Sequence, residues 1–197
     1  MTALVAALGD SITAGSPAWD PDPAVRATIV APDERSQWEY WAASLDQSLE
    51  LRNCGVYGER TDEIAARLDR CAEGADVLVV QGGINDIAQR RPVEQASENL
   101  RRMVRRGREL GLMVVLCDVL PWNGGHPDAE APIRRLNDLV HGLAVAGGVP
   151  LLRFHDTLED PERPGRMRED WTSDGDHPSV EGYRRLGELA AAVLGRV

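Results

Sequence analysis

Short apolar runs alternate with stretches of helical periodicity along almost the whole chain. The clearest run is Val77-Leu78-Val79-Val80, which is typical of a strand buried on both faces of a sheet. Apolar residues then recur at helical spacing from Val93 to Leu110. Strands that alternate with helices in this way form a parallel sheet covered by helices on both sides. We therefore expect an α/β fold with three α/β/α layers, a five-stranded parallel sheet and a single domain over residues 1–197.

Element boundaries follow from the same patterns together with capping residues. The predicted strands cover residues 3–8, 51–55, 77–80 and 112–117, and a fifth begins at Leu151. The predicted helices cover residues 37–49 with Ser36 as N-cap, a segment capped by Thr61, residues 93–110, a segment ending near 147–148, and a last helix capped by Ser179. A long stretch rich in Pro, Asp and Ala, residues 16–35, has no predicted element. Loops of this length usually serve a function or are mobile.

Composition and charge exclude several classes of protein. The net charge of −10 argues against a nucleic-acid partner, because phosphates would repel such a surface. No apolar run approaches the roughly 20 residues of a membrane span, so we expect no stable membrane insertion. The first apolar stretch lacks a basic leader region and runs directly into Gly9, so we expect no signal peptide and a cytoplasmic protein. The oligomeric state stays open.

The three cysteines, Cys54, Cys71 and Cys117, are odd in number and far apart. None forms a C-x-x-C pair, and each lies inside an apolar element. This pattern favours buried free thiols over a disulfide framework or a zinc site, and it is typical of a reducing compartment. We expect no metal site.

Polar residues with catalytic potential follow the predicted strands. In open parallel sheets, the site lies outside the carboxyl ends of the strands. Gly9-Asp10-Ser11 follows the first strand, Gly58 the second and Asn85 the third, while Asp174 and His177 precede the last helix. Together these residues supply a nucleophile, oxyanion donors and a base with a carboxylate to orient it.

Each of these residues also has a purely structural interpretation. Taken alone, Ser11 fits a turn or helix cap, Gly58 a turn, and the Asp174–His177 pair a loop hydrogen bond or a fragment of a metal site. Two other motifs can be excluded at Ser11. A P-loop needs a lysine that is absent here, and the G-x-S-x-G nucleophile elbow fails because Thr13 occupies its second glycine position.

Four short motifs, in order, resemble the SGNH hydrolase superfamily, also called GDSL esterases and lipases. They are "GDSIT", "NCGVYGERT", "GGIND" and "DGDHP", and the resemblance extends from residue 4 to about 194. It implies a flavodoxin-like SGNH hydrolase fold and a serine esterase without a cofactor. The implied catalytic residues are Ser11, Asp174 and His177, and the implied oxyanion hole is formed by Ser11, Gly58 and Asn85. One departure is Arg60, which stands where a small hydroxyl residue is common.

The substrate is less constrained than the reaction. Long loops near the nucleophile carry tryptophans, and we expect the pocket to include Asp10, Trp19, Trp122 and Trp171. A single phenylalanine and no long exposed apolar segment favour a small-molecule ester with a short acyl chain, such as an acetyl ester of a sugar or small alcohol. Acyl transfer, and lysophospholipase or thioesterase activity, are alternatives within the family. A non-catalytic ligand-binding module or a flavodoxin-like nucleotide or response-regulator module are alternatives from other classes.

Overall fold

The computed structural model describes residues 2–196, and its centre is a parallel sheet of five strands in the order β2-β1-β3-β4-β5. The strands are β1 (Ala3–Gly9), β2 (Leu49–Gly55), β3 (Val77–Val80), β4 (Met113–Cys117) and β5 (Leu151–Leu152). Each neighbouring pair is parallel. The predicted fold class, an α/β fold with a five-stranded parallel sheet, is confirmed.

Ten helices surround or extend from this sheet within residues 2–196. They are α1 (Ser11–Ala14), α2 (Pro23–Arg26), α3 (Trp38–Leu45), α4 (Thr61–Ala66), α5 (Leu68–Cys71), α6 (Ile84–Ala88), α7 (Val93–Glu109), α8 (Glu130–Gly147), α9 (Phe154–Leu158) and α10 (Val180–Leu194). A short antiparallel pair, β6 (Glu159–Asp160) with β7 (Arg163–Met167), precedes a 3-10 turn at Glu169–Trp171. The sequence pattern predicts none of this small sheet.

Alternate residues of the strands pack into two separate apolar cores, one on each face of the sheet. Leu78 and Val80 belong to the core that also contains residues of α4, α7 and α8. Val77 and Val79 belong to the opposite core, which contains residues of α3, α9 and α10. A strand buried on both faces needs no polar face, which explains the continuous apolar run in β3.

Two of the predicted helix caps, Ser36 for α3 and Thr61 for α4, are wrong. Helix α3 begins at Trp38 after Gln37, not after Ser36, and it ends at Leu45 because the chain then enters β2, whose Leu49 pairs with Ala3. Thr61 is the first residue of α4 instead of its cap, since the Asp86 carboxylate accepts hydrogen bonds from both its backbone N–H and its hydroxyl, each at 3.0 Å. The predicted cap Ser179 of α10 is confirmed.

The expectation of three free thiols is also wrong. Cys54, next to last in β2, forms a disulfide with Cys71 at the end of α5, with a Cα–Cα distance of 6.1 Å. The two cysteines are 17 residues apart in sequence, but the chain returns through α4 and α5 to lie beside β2. Within residues 2–196, Cys117 is the one free cysteine, and it is buried. The expectation of a reducing compartment was based on three free thiols, and the disulfide removes that basis.

Among residues 2–196, no helix combines the length and the apolar character needed to cross a membrane.

Candidate active site

Ser11 lies where the central strand β1 ends and α1 begins. The Asp10 carboxylate accepts a hydrogen bond from the backbone N–H of Ile12 at 3.0 Å, which caps α1 and fixes Ser11 as its first residue. The side chain of Ser11 is almost fully buried, and its Oγ lies 3.1 Å from Nε2 of His177. These two residues are 166 positions apart in sequence, so the contact is produced entirely by the tertiary fold.

His177 is held by the loop that carries Asp174. Nδ1 of His177 lies 2.8 Å from Oδ2 of Asp174. The other carboxylate oxygen, Oδ1, accepts hydrogen bonds from the backbone N–H groups of His177 and Asp176 at 2.7 and 2.9 Å. Partial burial acts to raise the pKa of Asp174, but the hydrogen bonds from the His177 side chain and from these backbone groups outweigh it and hold the pKa below its usual value. The carboxylate therefore stays ionised beside the imidazole.

Gly58 lies in the loop after β2, and Asn85 lies in α6, which follows β3; β2 and β3 are the two strands that flank β1. Because β1 lies between β2 and β3, the ends of these three strands are adjacent. Gly58 has a φ of 78°, a left-handed conformation that favours glycine. The Asn85 amide donates to the backbone oxygen of Glu59 at 2.9 Å, which fixes the side chain relative to the Gly58 loop.

Asp86, the next residue of α6, connects this helix to the start of α4. It is buried, and it accepts both hydrogen bonds from Thr61 that begin α4. Burial raises its pKa in spite of those two hydrogen bonds, which lower it. The sequence motifs assign Asp86 no catalytic role, although its position directly after Asn85 could have suggested a supporting one.

A small cleft of about 90 Å³ opens over Ser11. Its lining combines predicted site residues with others: Ser11, Ile12, Tyr57, Gly58, Ile84, Asn85, Ala88, Trp122, Asp176 and His177. Tyr57 and Asp176 are additions to the predicted set. The structure thus brings Ser11, Gly58, Asn85, Trp122 and His177 together at one cleft, with Asp174 behind His177.

Three residues expected in the pocket lie elsewhere. The ring of Trp19 packs under the guanidinium of Arg26, and Trp171 packs against Arg168 and Arg185, so neither belongs to the cleft lining. Asp10 is fully buried behind Ser11. Burial raises its pKa to about 6, although hydrogen bonds involving Ile12 and Gln81 oppose that shift, and one of its oxygens, Oδ2, has no hydrogen-bond partner.

A larger cavity of about 570 Å³ lies against the edge strand β2, lined in part by Arg52, Arg67 and the disulfide. None of the predicted site residues lines it. Among residues 2–196, no group of three or more His, Cys, Asp or Glu side chains is placed to hold a metal ion.

Comparison with known proteins places this chain in a family. Residues 7–185 match the GDSL-like lipase/acylhydrolase family. The chain belongs to this family. The general activity that membership supports is hydrolysis of ester bonds.

Solved structures share the fold over the whole chain. A member of the lipolytic G-D-S-L family from Veillonella parvula aligns with a TM-score of 0.80 and 18% identity, covering 98% of this chain and 99% of that one. A GDSL-like lipase from Bacteroides thetaiotaomicron aligns at 0.76 and 20% identity, covering 98% and 89%. The lipase/acylhydrolase from Enterococcus faecalis aligns at 0.74 and 25% identity, covering 100% and 97%. No curated protein matched the sequence.

Proposed function

We propose that this GDSL protein is a serine esterase in which Ser11 is the nucleophile, His177 the general base and Asp174 the residue that orients the base. The observation that carries the proposal is the continuous line of contacts from Ser11 Oγ to His177 Nε2, at 3.1 Å, and from His177 Nδ1 to Asp174 Oδ2, at 2.8 Å. Such a line of hydroxyl, imidazole and carboxylate activates a serine that is otherwise a weak nucleophile.

In the first half of the reaction, Ser11 Oγ attacks the ester carbonyl carbon while His177 Nε2 takes the hydroxyl proton. The Asp174 carboxylate accepts the Nδ1–H of the imidazole, which sets the tautomer and stabilises the imidazolium that forms. When the tetrahedral intermediate collapses, the bond to the alcohol oxygen breaks and His177 returns its proton to that oxygen. The acyl group is then attached to Ser11.

The oxyanion of the intermediate would be held by the backbone N–H groups of Ser11 and Gly58 and by the Asn85 amide. One N–H of that amide is committed to Glu59, and the second remains to donate into the cleft. Loss of one such donor typically lowers kcat by about 10² to 10³. Water, activated by His177 in the same way as the serine, then attacks the acyl-enzyme and releases the acid.

The size of the cleft supports a short acyl group. Its volume of about 90 Å³ leaves little space, and its apolar lining includes Ile12, Ile84 and Ala88. An acetyl or similar short chain fits beside these apolar residues, whereas a long lipid chain would extend beyond the cleft.

The proposal is tested with a fluorophosphonate probe and p-nitrophenyl esters of two to twelve acyl carbons. We expect the probe to label Ser11, located by peptide mass, and kcat/KM to be highest for the shortest acyl chains. Ser11→Ala should abolish labelling and lower kcat by up to about 10⁶. The matched control is Ser44→Ala, at an exposed serine whose hydroxyl bonds to the Tyr40 carbonyl in α3. Labelling or turnover that persists in Ser11→Ala would refute the assignment.

A further inference from the structure

The cleft has a carboxylate and two aromatic side chains grouped on the side of the catalytic histidine. Asp176 immediately precedes His177, and its Oδ1 accepts a hydrogen bond from the indole Nε1 of Trp122 at 2.7 Å. The Tyr57 ring lies with its centroid 6.1 Å from that of the His177 ring and is 67% exposed. All three residues line the cleft with Ser11.

We propose that Asp176, Tyr57 and Trp122 form a subsite for a positively charged alcohol group, so that the enzyme prefers esters of ammonium alcohols. The inference rests on the proposed function, because it concerns the leaving group of the reaction at Ser11. His177 must reach the leaving oxygen to protonate it, so the alcohol lies on the His177 side of the cleft. The groups nearest His177 there are the ones that the alcohol meets.

The Asp176 carboxylate is held in place by its neighbours, and no described arginine or histidine forms an ion pair with it. The backbone N–H of Asp176 donates a hydrogen bond to Asp174. Gly124 packs against the same loop, because its N–H donates to the Gly175 oxygen at 2.8 Å. A side chain at position 124 would collide with Oδ1 of Asp176. Within residues 2–196, no arginine or histidine forms an ion pair with it. Many other surface acids do have a cationic partner, as Asp69 has Arg106. A carboxylate accepts about four hydrogen bonds, so the indole leaves most of its capacity free.

The surrounding electrostatics favour a cation over an anion. No arginine is among the described residues that line the cleft, and the chain carries a net charge of −10. The faces of Tyr57 and Trp122 offer further attraction, because aromatic rings bind ammonium groups within about 6 Å of their centroids. The same charges disfavour an ester whose alcohol carries a sulfonate or phosphate.

The test compares three acetate esters of similar shape: acetylcholine, its neutral isostere 3,3-dimethylbutyl acetate, and the anionic 2-sulfoethyl acetate. We expect kcat/KM to be about fivefold or more higher for the cationic than for the neutral ester. The anionic ester should be the poorest of the three. In Asp176→Asn, which keeps an oxygen to accept the Trp122 N–H, the ratio of cationic to neutral should fall to within about twofold of unity at about 0.15 M salt, where long-range attraction is largely screened.

The matched control is Glu50→Gln, which removes one negative charge near the amino-terminal end of β2. The Ser11 cleft lies at the other end of the strands, where their carboxyl ends meet. Glu50→Gln should leave both rates and the ratio unchanged. A ratio near one in the wild-type enzyme, or a ratio that Asp176→Asn does not lower, would overturn the subsite while Ser11-dependent hydrolysis of the neutral ester still supports the esterase. Failure to hydrolyse any of the three esters would overturn the esterase itself.

Discussion

Two carboxyl groups close to Ser11 have opposite electrostatic environments. Asp174 is partly exposed and receives three hydrogen bonds, which hold its pKa below its usual value. Asp10 is fully buried and keeps one oxygen without a partner, and burial raises its pKa to about 6. At neutral pH the ionised form of Asp174 is stabilised by its hydrogen bonds, whereas ionisation of the buried Asp10 destabilises the folded state.

Replacement of Asp10 by Asn should therefore flatten part of the pH dependence of stability. The folded state binds the Asp10 proton more tightly than the unfolded chain, whose pKa is near 3.8, so folding loses stability as the pH rises from about 4 to about 6. The difference between the two pKa values corresponds to about 3 kcal/mol. Asn cannot ionise but can still cap Ile12. Urea unfolding at pH 4 and pH 8 measures the effect.

We expect the stability of Asp10→Asn relative to wild type to improve by up to about 3 kcal/mol between pH 4 and pH 8. The control is Asp156→Asn, an exposed carboxylate paired with Arg153, which should show no such improvement. An Asp10→Asn variant whose stability parallels that of wild type across this range would contradict the buried, proton-retaining state of Asp10.

Site residues that define a sequence motif could be predicted, whereas residues that line the cleft only because of the tertiary fold could not. Ser11, Asn85 and His177 follow strands or precede a helix in a recognisable order, and the structure brings them to one cleft. Tyr57 and Asp176 became visible only in three dimensions, since neither belongs to a spacing pattern of its own. Trp19 and Trp171 were expected in the pocket because they lie in loops, but an indole in a loop can equally pack on an arginine, as both do.

At the scale of elements, helices α3 and α10 approach each other closely at Gly187. A Cβ built on Gly187 would lie 2.8 Å from the backbone oxygen of Trp38 and also collide with the Cβ of Trp41. These are not flexible side-chain ends, so the collision can be relieved only if one helix moves away from the other. Gly142, in α8, has nothing within 4 Å of such a Cβ.

The two glycines should respond to alanine in opposite directions. Gly187→Ala should destabilise the protein by about 2 to 3 kcal/mol, because an overpacked helix contact must open. Gly142→Ala should stabilise it by about 0.5 to 1 kcal/mol, because alanine has the higher helix propensity at an exposed position. Chemical unfolding of both variants at one pH provides the comparison. A Gly187→Ala variant as stable as Gly142→Ala would mean that α3 and α10 are not packed this closely.

Sequence patterns predicted elements well and the junctions between them less well. The apolar runs of β1, β3 and β4 and the periodicity of α7 match the structure within a few residues. Thr61 was wrongly predicted as the cap of α4, because the group that accepts its backbone N–H belongs to Asp86, 25 positions away in sequence. The Cys54–Cys71 disulfide was missed for the same reason, since its formation depends on how α4 and α5 return the chain to β2.

For the molecule as a whole, the strand order determines how the site assembles. With β1 between β2 and β3, the segments that follow these three strands and bear Ser11, Gly58 and Asn85 are neighbours, and the loop before α10 brings His177 to Ser11. Parallel strands could be predicted from the β-α alternation, whereas their order was implied only by the resemblance to a flavodoxin-like fold, because alternation alone does not show which apolar faces pack together. The excess of acidic residues, by contrast, can be read directly from the composition.

That excess should act on charged substrates from a distance. A net charge of −10 attracts cationic esters, and salt weakens the attraction, because the Debye length falls from about 30 Å at 0.01 M to about 3 Å at 1 M. We expect kcat/KM for acetylcholine, relative to the neutral 3,3-dimethylbutyl acetate, to fall by about threefold or more across this range. In Asp176→Asn most of this salt dependence should remain, since the other negative charges are still present. If the ratio is independent of salt in wild type, or if its salt dependence disappears in Asp176→Asn, long-range attraction by the whole molecule plays no part.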